Sequence, residues 1–170
     1  MPRKAAVIVT VLLILQLCGC WDSRDLDKLG FPLAAAYDVH SPGSADPSDP
    51  MAKPGYKLVD LTTLVPNLSP KTPNPVNIEN LSGLTIADAR QRRGLTDAET
   101  YVTGLNKTII IGEELARLGI NPYMDVLLRG ATITGTMNFT VAAGRGEDIL
   151  KTPIKNYTNM GTYLVALFDG

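Results

Sequence analysis

Apolar residues recur along this chain in short runs whose period changes from one segment to the next. The longest is Ala5–Leu17, thirteen positions interrupted only by Thr10 and Gln16. Residues 22–30 are then half charged, with Leu26 and Leu29 three apart, which predicts a short polar helix or tether ending at Gly30. Phe31–Tyr37 predicts a first strand, with Pro32 near its start and Asp38 closing it. Tyr56–Val65 predicts a second, with Val59, Leu61 and Val65 on one side and Leu58 and Leu64 on the other. Val76, Ile78 and Leu81 predict a strand before Gly83, and Thr85 then caps a helix through Ile86 and Ala89 to Arg93, stopped by Gly94.

The C-terminal half is denser. Thr108–Ile111 is β-branched and apolar, which suits a strand buried on both faces. Helical spacing follows over Gly112–Gly119, with Leu115 and Leu118 apolar, and Asn121-Pro122 opens a second short helix to Arg129. Ala131–Ala143 alternates strictly, placing Ile133, Gly135, Met137, Phe139 and Val141 on one buried side of the longest predicted strand. Gly144 and Gly146 make a turn, Glu147–Leu150 one helical turn that Pro153 breaks, and Asn159–Phe168 a last helix without a cap. The fold class expected is α+β, a single domain with a mixed β-sheet and short helices.

Eight of the twelve prolines lie between positions 42 and 75, so 41–55 and 66–75 are expected as irregular loops. The strand between them is then expected on the surface, as a long hairpin or crossover strand.

Composition narrows the function. A chain of 170 residues fits one domain, and a net charge of -1 lacks the clustered cations a nucleic-acid binder needs. The single histidine, His40, falls in the Pro-rich loop and argues against a His-based zinc site or a Ser-His-Asp triad. Two cysteines cannot form a disulfide scaffold. No phosphate loop, Cys-x-x-Cys, His-Glu-x-x-His or Gly-x-Ser-x-Gly is present. No catalytic residue, metal ligand or cofactor is therefore predicted. Arg90, Arg92 and Arg93 read as a solvated helix face, with anionic lipid or a partner as the sharper alternative. Glu113 and Glu114 lie where negative charge complements a helix dipole, which explains them without acid–base chemistry. Five Asn-x-Ser/Thr triplets, at Asn67, Asn80, Asn106, Asn138 and Asn156, read as ordinary usage.

The N-terminus carries the most specific signal. Arg3 and Lys4 precede the apolar run, which is shorter than the roughly 20 residues a spanning helix needs. It fits a signal-peptide core. Leu17-Cys18-Gly19-Cys20 directly behind it reads as a bacterial lipobox. Residues 1–19 are then a lipoprotein signal peptide, Cys20 is the lipid attachment site, and 20–30 is a lipid-anchored tether. Cleavage would leave 151 residues with 14 basic against 17 acidic groups and no free thiol. Acyl chains on Cys20 would hold the domain on the outer face of a membrane without spanning it. Trp21 and Asp22 follow as candidate membrane-interface or partner contacts, Trp21 because indole rings favour the headgroup level. Packing of Trp21 on the domain is the alternative.

Several segments together resemble the C-subunit lipoproteins of bacterial spore germinant receptors, the Ger(x)C family. They are Gly19-Cys20-Trp21-Asp22 with Leu26 and Leu29; Lys107–Ile120 followed by Met124, Asp125, Leu128 and Arg129; Thr140–Leu150; and Gly83–Ala89. The resemblance runs from Cys20 to about Phe168. It departs where Leu105 stands near the family's usual His, and where Ala36-Tyr37-Asp38 replaces the usual Gly-Ile-Asp. It implies a Ger(x)C-like N-terminal α+β domain over 31–170, truncated relative to a family that continues through further domains. It also implies a role in spore germination at the spore inner membrane, beside integral A- and B-type receptor subunits, through protein–protein contacts and without catalysis. A ligand-binding lipoprotein of a transporter is the alternative, which a deep polar pocket would favour. An anchored hydrolase is a third, which a convergent Ser or Asp cluster would revive.

Overall fold

The computed structural model describes residues 29–40, 59–67, 75–96, 100–129 and 136–169, together with Arg3. Apart from Arg3, the expected signal peptide, Cys20, Trp21, Asp22 and the loop expected at 41–55 lie outside the described residues. Five strands form one mixed sheet: β2 (Ala34–Val39), β3 (Val59–Pro66), β4 (Val76–Gly83), β6 (Thr108–Ile111) and β7 (Asn138–Val141), in the order β4-β3-β2-β6-β7. The β4-β3-β2 half is antiparallel and the β2-β6-β7 half parallel. Two shorter strands, β1 (Leu29–Gly30) and β5 (Thr100–Tyr101), pair in parallel beside it. Leu29 and Gly30 thus end the tether as a strand, not as a helix stop.

Strand alternation splits the core into two layers, one on each face of the sheet. On one face Ala35, Tyr37, Val59, Leu61, Ile109 and Ile111 pack against Ile86 and Ala89 of α1 (Ile86–Thr96). Leu115 of α2 (Glu113–Arg117) and Leu127 of α3 (Asn121–Arg129) complete that layer. On the other face Ala34, Ala36, Leu64 and Ile110 meet Leu150 of α4 (Gly146–Lys151) and Met160 and Leu164 of α5 (Met160–Asp169). The β-branched run at Thr108–Ile111 is buried along its whole length because helices cover both of its sides. The mixed sheet and short helices expected from the pattern are what the chain forms.

Five local expectations are corrected. β3 is an interior strand, buried from Val59 to Val65, because β2 and β4 pair with its two edges. Helix α1 passes through Gly94 to Thr96. Its start is as expected: the Thr85 hydroxyl accepts the Asp88 amide at 3.1 Å, and Asp88 accepts the Leu84 amide at 2.8 Å. Among the described residues, β7 covers only Asn138–Val141 of the long strand expected at 131–143, and Phe139 and Val141 are 37% and 56% exposed. The period-two pattern is real, but it falls on the edge strand of the sheet beyond the cover of the helices. Gly146 opens α4 instead of closing a turn, while Gly144 takes the left-handed φ of 96° that the turn requires. The last helix is capped: Asn159 Oδ1 accepts the Thr162 amide at 2.9 Å.

Candidate functional site

Three strands end their polar run in one row on the α4 side of the sheet. Asp38 of β2 stands opposite Asp60 of β3, and Asp60 stands opposite Ser82 of β4. Both carboxylates are buried, at 2% and 0% exposure. Like charges directly opposed on neighbouring strands repel, and buried ones lose their water as well. The chain compensates from two sides.

Asp38 is met by the turn between β7 and α4. The Gly146 and Glu147 amides donate to its two oxygens at 2.8 and 2.9 Å. Asp60 is met by side chains. His40 Nδ1 and Ser82 Oγ approach Oδ1 at 2.6 and 2.7 Å, and Arg145 donates to Oδ2 at 3.1 Å. Arg145 also donates to Glu147 at 2.9 Å and to the Val39 carbonyl at 3.2 Å. Asn80 donates to Glu147 at 3.0 Å, and Lys151 pairs with Glu147 one helical turn on.

These surroundings push the two aspartates apart. Burial raises the Asp38 carboxyl above the usual range and outweighs the two amides and Arg145. Burial acts the same way on Asp60, but hydrogen bonds from His40, Ser82 and Arg145 outweigh it and hold that carboxyl low. Glu147 is likewise held low: Lys151 and Arg145 overcome its desolvation. The Arg145 guanidinium is desolvated too, yet Glu147 and Asp60 keep it more basic than usual.

Serine, histidine and aspartate therefore converge here, and His40 belongs to the end of a buried strand cluster instead of the Pro-rich loop. The geometry is not that of a triad. A triad places the carboxylate on one ring nitrogen and the serine on the other. Here Ser82 Oγ lies 3.3 Å from the same Nδ1 that faces Asp60, and its own proton goes to the carboxylate. Ser82 and His40 both approach the same oxygen of Asp60.

At the end of β2, a depression of about 250 Å³ is lined by both charged and apolar groups: Asp38, Glu113, Glu114, Arg117 and Arg145, with Val39, Leu115 and Gly144. Glu113 opens α2, accepts the Gly144 amide at 3.1 Å and pairs with Arg117 at 2.6 Å. Those two bonds hold its carboxyl below the usual range. Gly112 is required beside it, because a Cβ there would overlap the Asp38 carboxylate. Among the described residues no group of three or more His, Cys, Asp or Glu is placed to hold a metal ion. No described helix is long and apolar enough to cross a membrane.

The arginine cluster divides. Arg93 is 6% exposed, donates to Thr63 at 2.9 Å, pairs with Glu79 at 3.2 Å and sits 3.3 Å above the Tyr101 ring centroid. It is a buried brace, contrary to the solvated face expected. Tyr101 in turn donates to Glu79, and burial beside that carboxylate raises its phenol well above the ordinary value.

The sequence pattern alone passes over Asp38, Asp60 and Arg145, although a trace of them is visible. Each aspartate is a lone charge inside an otherwise apolar or hydroxyl-bearing strand, a placement that demands a partner. Cys20, Trp21 and Asp22, the predicted site residues, are not among those the structure places.

The model of the family described as "Spore germination protein N-terminal domain" matches residues 22–170, nearly all of the chain. The chain belongs to this family. Two curated relatives come from Bacillus subtilis (strain 168). YfkR, assigned to spore germination, is 26% identical over 156 residues, covering 87% of this chain and 38% of its own length. Spore germination protein B3 is 26% identical over 150 residues, covering 88% of this chain and 37% of its own. The chain thus spans less than two fifths of the relatives it matches. No solved structure matches it. The family is that of Ger(x)C proteins, and the expected link to spore germination holds at that level.

Proposed function

We propose that this chain is a lipid-anchored subunit of a nutrient germinant receptor, acting in spore germination through protein–protein contacts and without catalysis. Acylated Cys20 holds it on the outer face of the cell membrane, which in the spore is the inner membrane. Residues 20–30 form the tether, with Trp21 and Asp22 at the headgroups or against a partner, and 31–170 form the docking domain. Integral A- and B-type receptor subunits are the partners. One observation carries this reading: the family match begins at residue 22, directly behind the lipobox cysteine, and runs to residue 170. A germination domain whose match starts two residues after the proposed acylation site supports a role at a membrane surface. The Ser82–His40–Asp60 geometry supports the non-catalytic part, since its serine and histidine are committed to one carboxylate oxygen.

The test is recovery of a tagged chain from detergent-solubilised spore membranes. Both integral subunits should come with the wild-type chain and be lost with Cys20→Ala. Recovery of the wild-type chain alone, together with normal germination of spores lacking it, would sink the proposal.

A further inference from the structure

The chain enters the domain at one end of the sheet. Leu29 and Gly30 pair with Thr100 and Tyr101, and Leu29 stands nine residues after Cys20, a reach of at most about 30 Å when fully extended. Three exposed leucines gather at that end. Leu105 closes a short turn bracketed by two backbone bonds to the entering chain: the Val102 amide donates to the Gly30 carbonyl at 2.9 Å, and the Lys107 amide to the Leu33 carbonyl at 3.0 Å. Leu95 lies in the last turn of α1, two residues after Arg93, which sits on the Tyr101 ring. Leu128 lies in the last turn of α3, which runs back from the finish of β6 toward the start of the parallel strand β7. Leu105, Leu95 and Leu128 are 46%, 80% and 65% exposed. Gly161 packs closely on Leu33, which brings the loop before α5, with exposed Lys155 and Tyr157, toward the same end.

The opposite end differs in kind. Helices α1, α2 and α4 begin there, and their first turns carry Asp88, Glu113, Glu114, Glu147 and Asp148. At the entry end Glu79 is taken up by Arg93 and Tyr101, while Lys107 and Lys155 pair with no carboxylate among the described residues. Scattered exposed leucines are ordinary on a protein surface, but these share the end of the domain that a short tether ties to Cys20. Apolar side chains with lysines among them match the interfacial zone of a bilayer, where the apolar groups enter the acyl boundary and the cations stay at phosphate level.

We propose that the entry end of the domain rests on a phospholipid surface, with Leu95, Leu105 and Leu128 seated at the boundary between headgroups and acyl chains. The inference rests on the lipid anchor at Cys20 proposed above and gives the anchored domain an orientation. Asp38, Asp60 and the start of α2 then face away from the membrane. Apolar burial carries the contact, since Asp97 and Glu99 follow Leu95 in sequence and offset the lysines. High salt should therefore leave it in place.

Quenching of tryptophan fluorescence by lipids brominated near the top of their acyl chains tests it. The chain extracted from membranes, its Cys20 acylation verified by mass, is reconstituted into vesicles of phosphatidylethanolamine and phosphatidylglycerol. A Trp21→Phe background carries Leu95→Trp, Leu105→Trp or, as the far-end reference, Glu114→Trp; all three positions are exposed. Quenching at 95 and 105 should exceed that at 114 by at least roughly threefold, at low and at high salt. Quenching at 95 and 105 no greater than at 114 would overturn the orientation and leave the anchor standing. A Cys20 without acyl groups would refute the anchor instead. A maleimide phospholipid joined to that thiol then supplies the tether, and the same comparison of 95, 105 and 114 decides the orientation.

Discussion

Asp38 and Asp60 face each other across the β2–β3 ladder, both buried, with carboxyl pKa values pushed in opposite directions, Asp38 up by burial and Asp60 down by its hydrogen bonds. The whole polar end of the sheet is arranged to tolerate that pair. Removing a partner should therefore cost more than removing an ordinary surface charge. Asp60→Ala leaves the Arg145 guanidinium and His40 without the carboxylate they share, and should destabilise the protein by about 3–5 kcal/mol in urea unfolding.

The opposite shifts give opposite pH dependences. Asp60 and Glu147 have depressed folded pKa values, so their contributions are present above the ordinary carboxylate range and are lost as pH falls through the folded values. Asp38 is raised, so its contribution is present at low pH and lost as pH rises through its folded value. Urea unfolding followed from about pH 7 to about pH 3 should show a steeper acid loss for Asp38→Asn than for wild type. Asp60→Asn should show a shallower one. Identical slopes in all three proteins would contradict the assignments.

Much of this was legible in the chain. Strands β2, β3, β4 and β6, the Thr85 cap and helices α2 and α3 follow from period and capping residues. What escaped depends on position in the sheet. Proline-rich flanks suggested that β3 lies on the surface, yet flanks do not reveal which strands pair with its two edges. Alternation at 137–141 correctly indicates a strand, but a period of two cannot distinguish a central strand from an edge, and Phe139 and Val141 are exposed on that edge. Arg93 reads as solvated because it stands in a cluster with Arg90 and Arg92, while its partners Thr63, Glu79 and Tyr101 come from three other elements. The candidate site is of the same kind: Asp38 meets residues more than a hundred positions away, at Gly146 and Glu147.

The Arg93 brace predicts a graded response. Arg93→Met removes the ion pair with Glu79, the bond to Thr63 and the contact with the Tyr101 ring, and should cost about 3–5 kcal/mol. Tyr101→Phe keeps the ring under the guanidinium and loses only the hydroxyl bond to Glu79, so about 1.5–3 kcal/mol is expected. Equal losses for the two variants would contradict this grading.

Gly112→Ala tests the crowding around Asp38. Its φ of -63° is ordinary, so any cost comes from the overlap of the new Cβ with the carboxylate. A loss of about 1–3 kcal/mol is expected. Pairing it with Asp38→Ala, which makes room, should recover part of that loss in a double-mutant cycle. Strictly additive losses would place the strain elsewhere.

In the proposed function, lipid on Cys20 is what holds the chain at the membrane. Intact-mass and N-terminal peptide spectrometry of the protein extracted from membranes addresses it most directly. The mature chain should begin at Cys20, with a diacylglyceryl group on its sulfur. A chain whose Cys20 carries a free thiol, or whose N-terminus lies elsewhere, would contradict it.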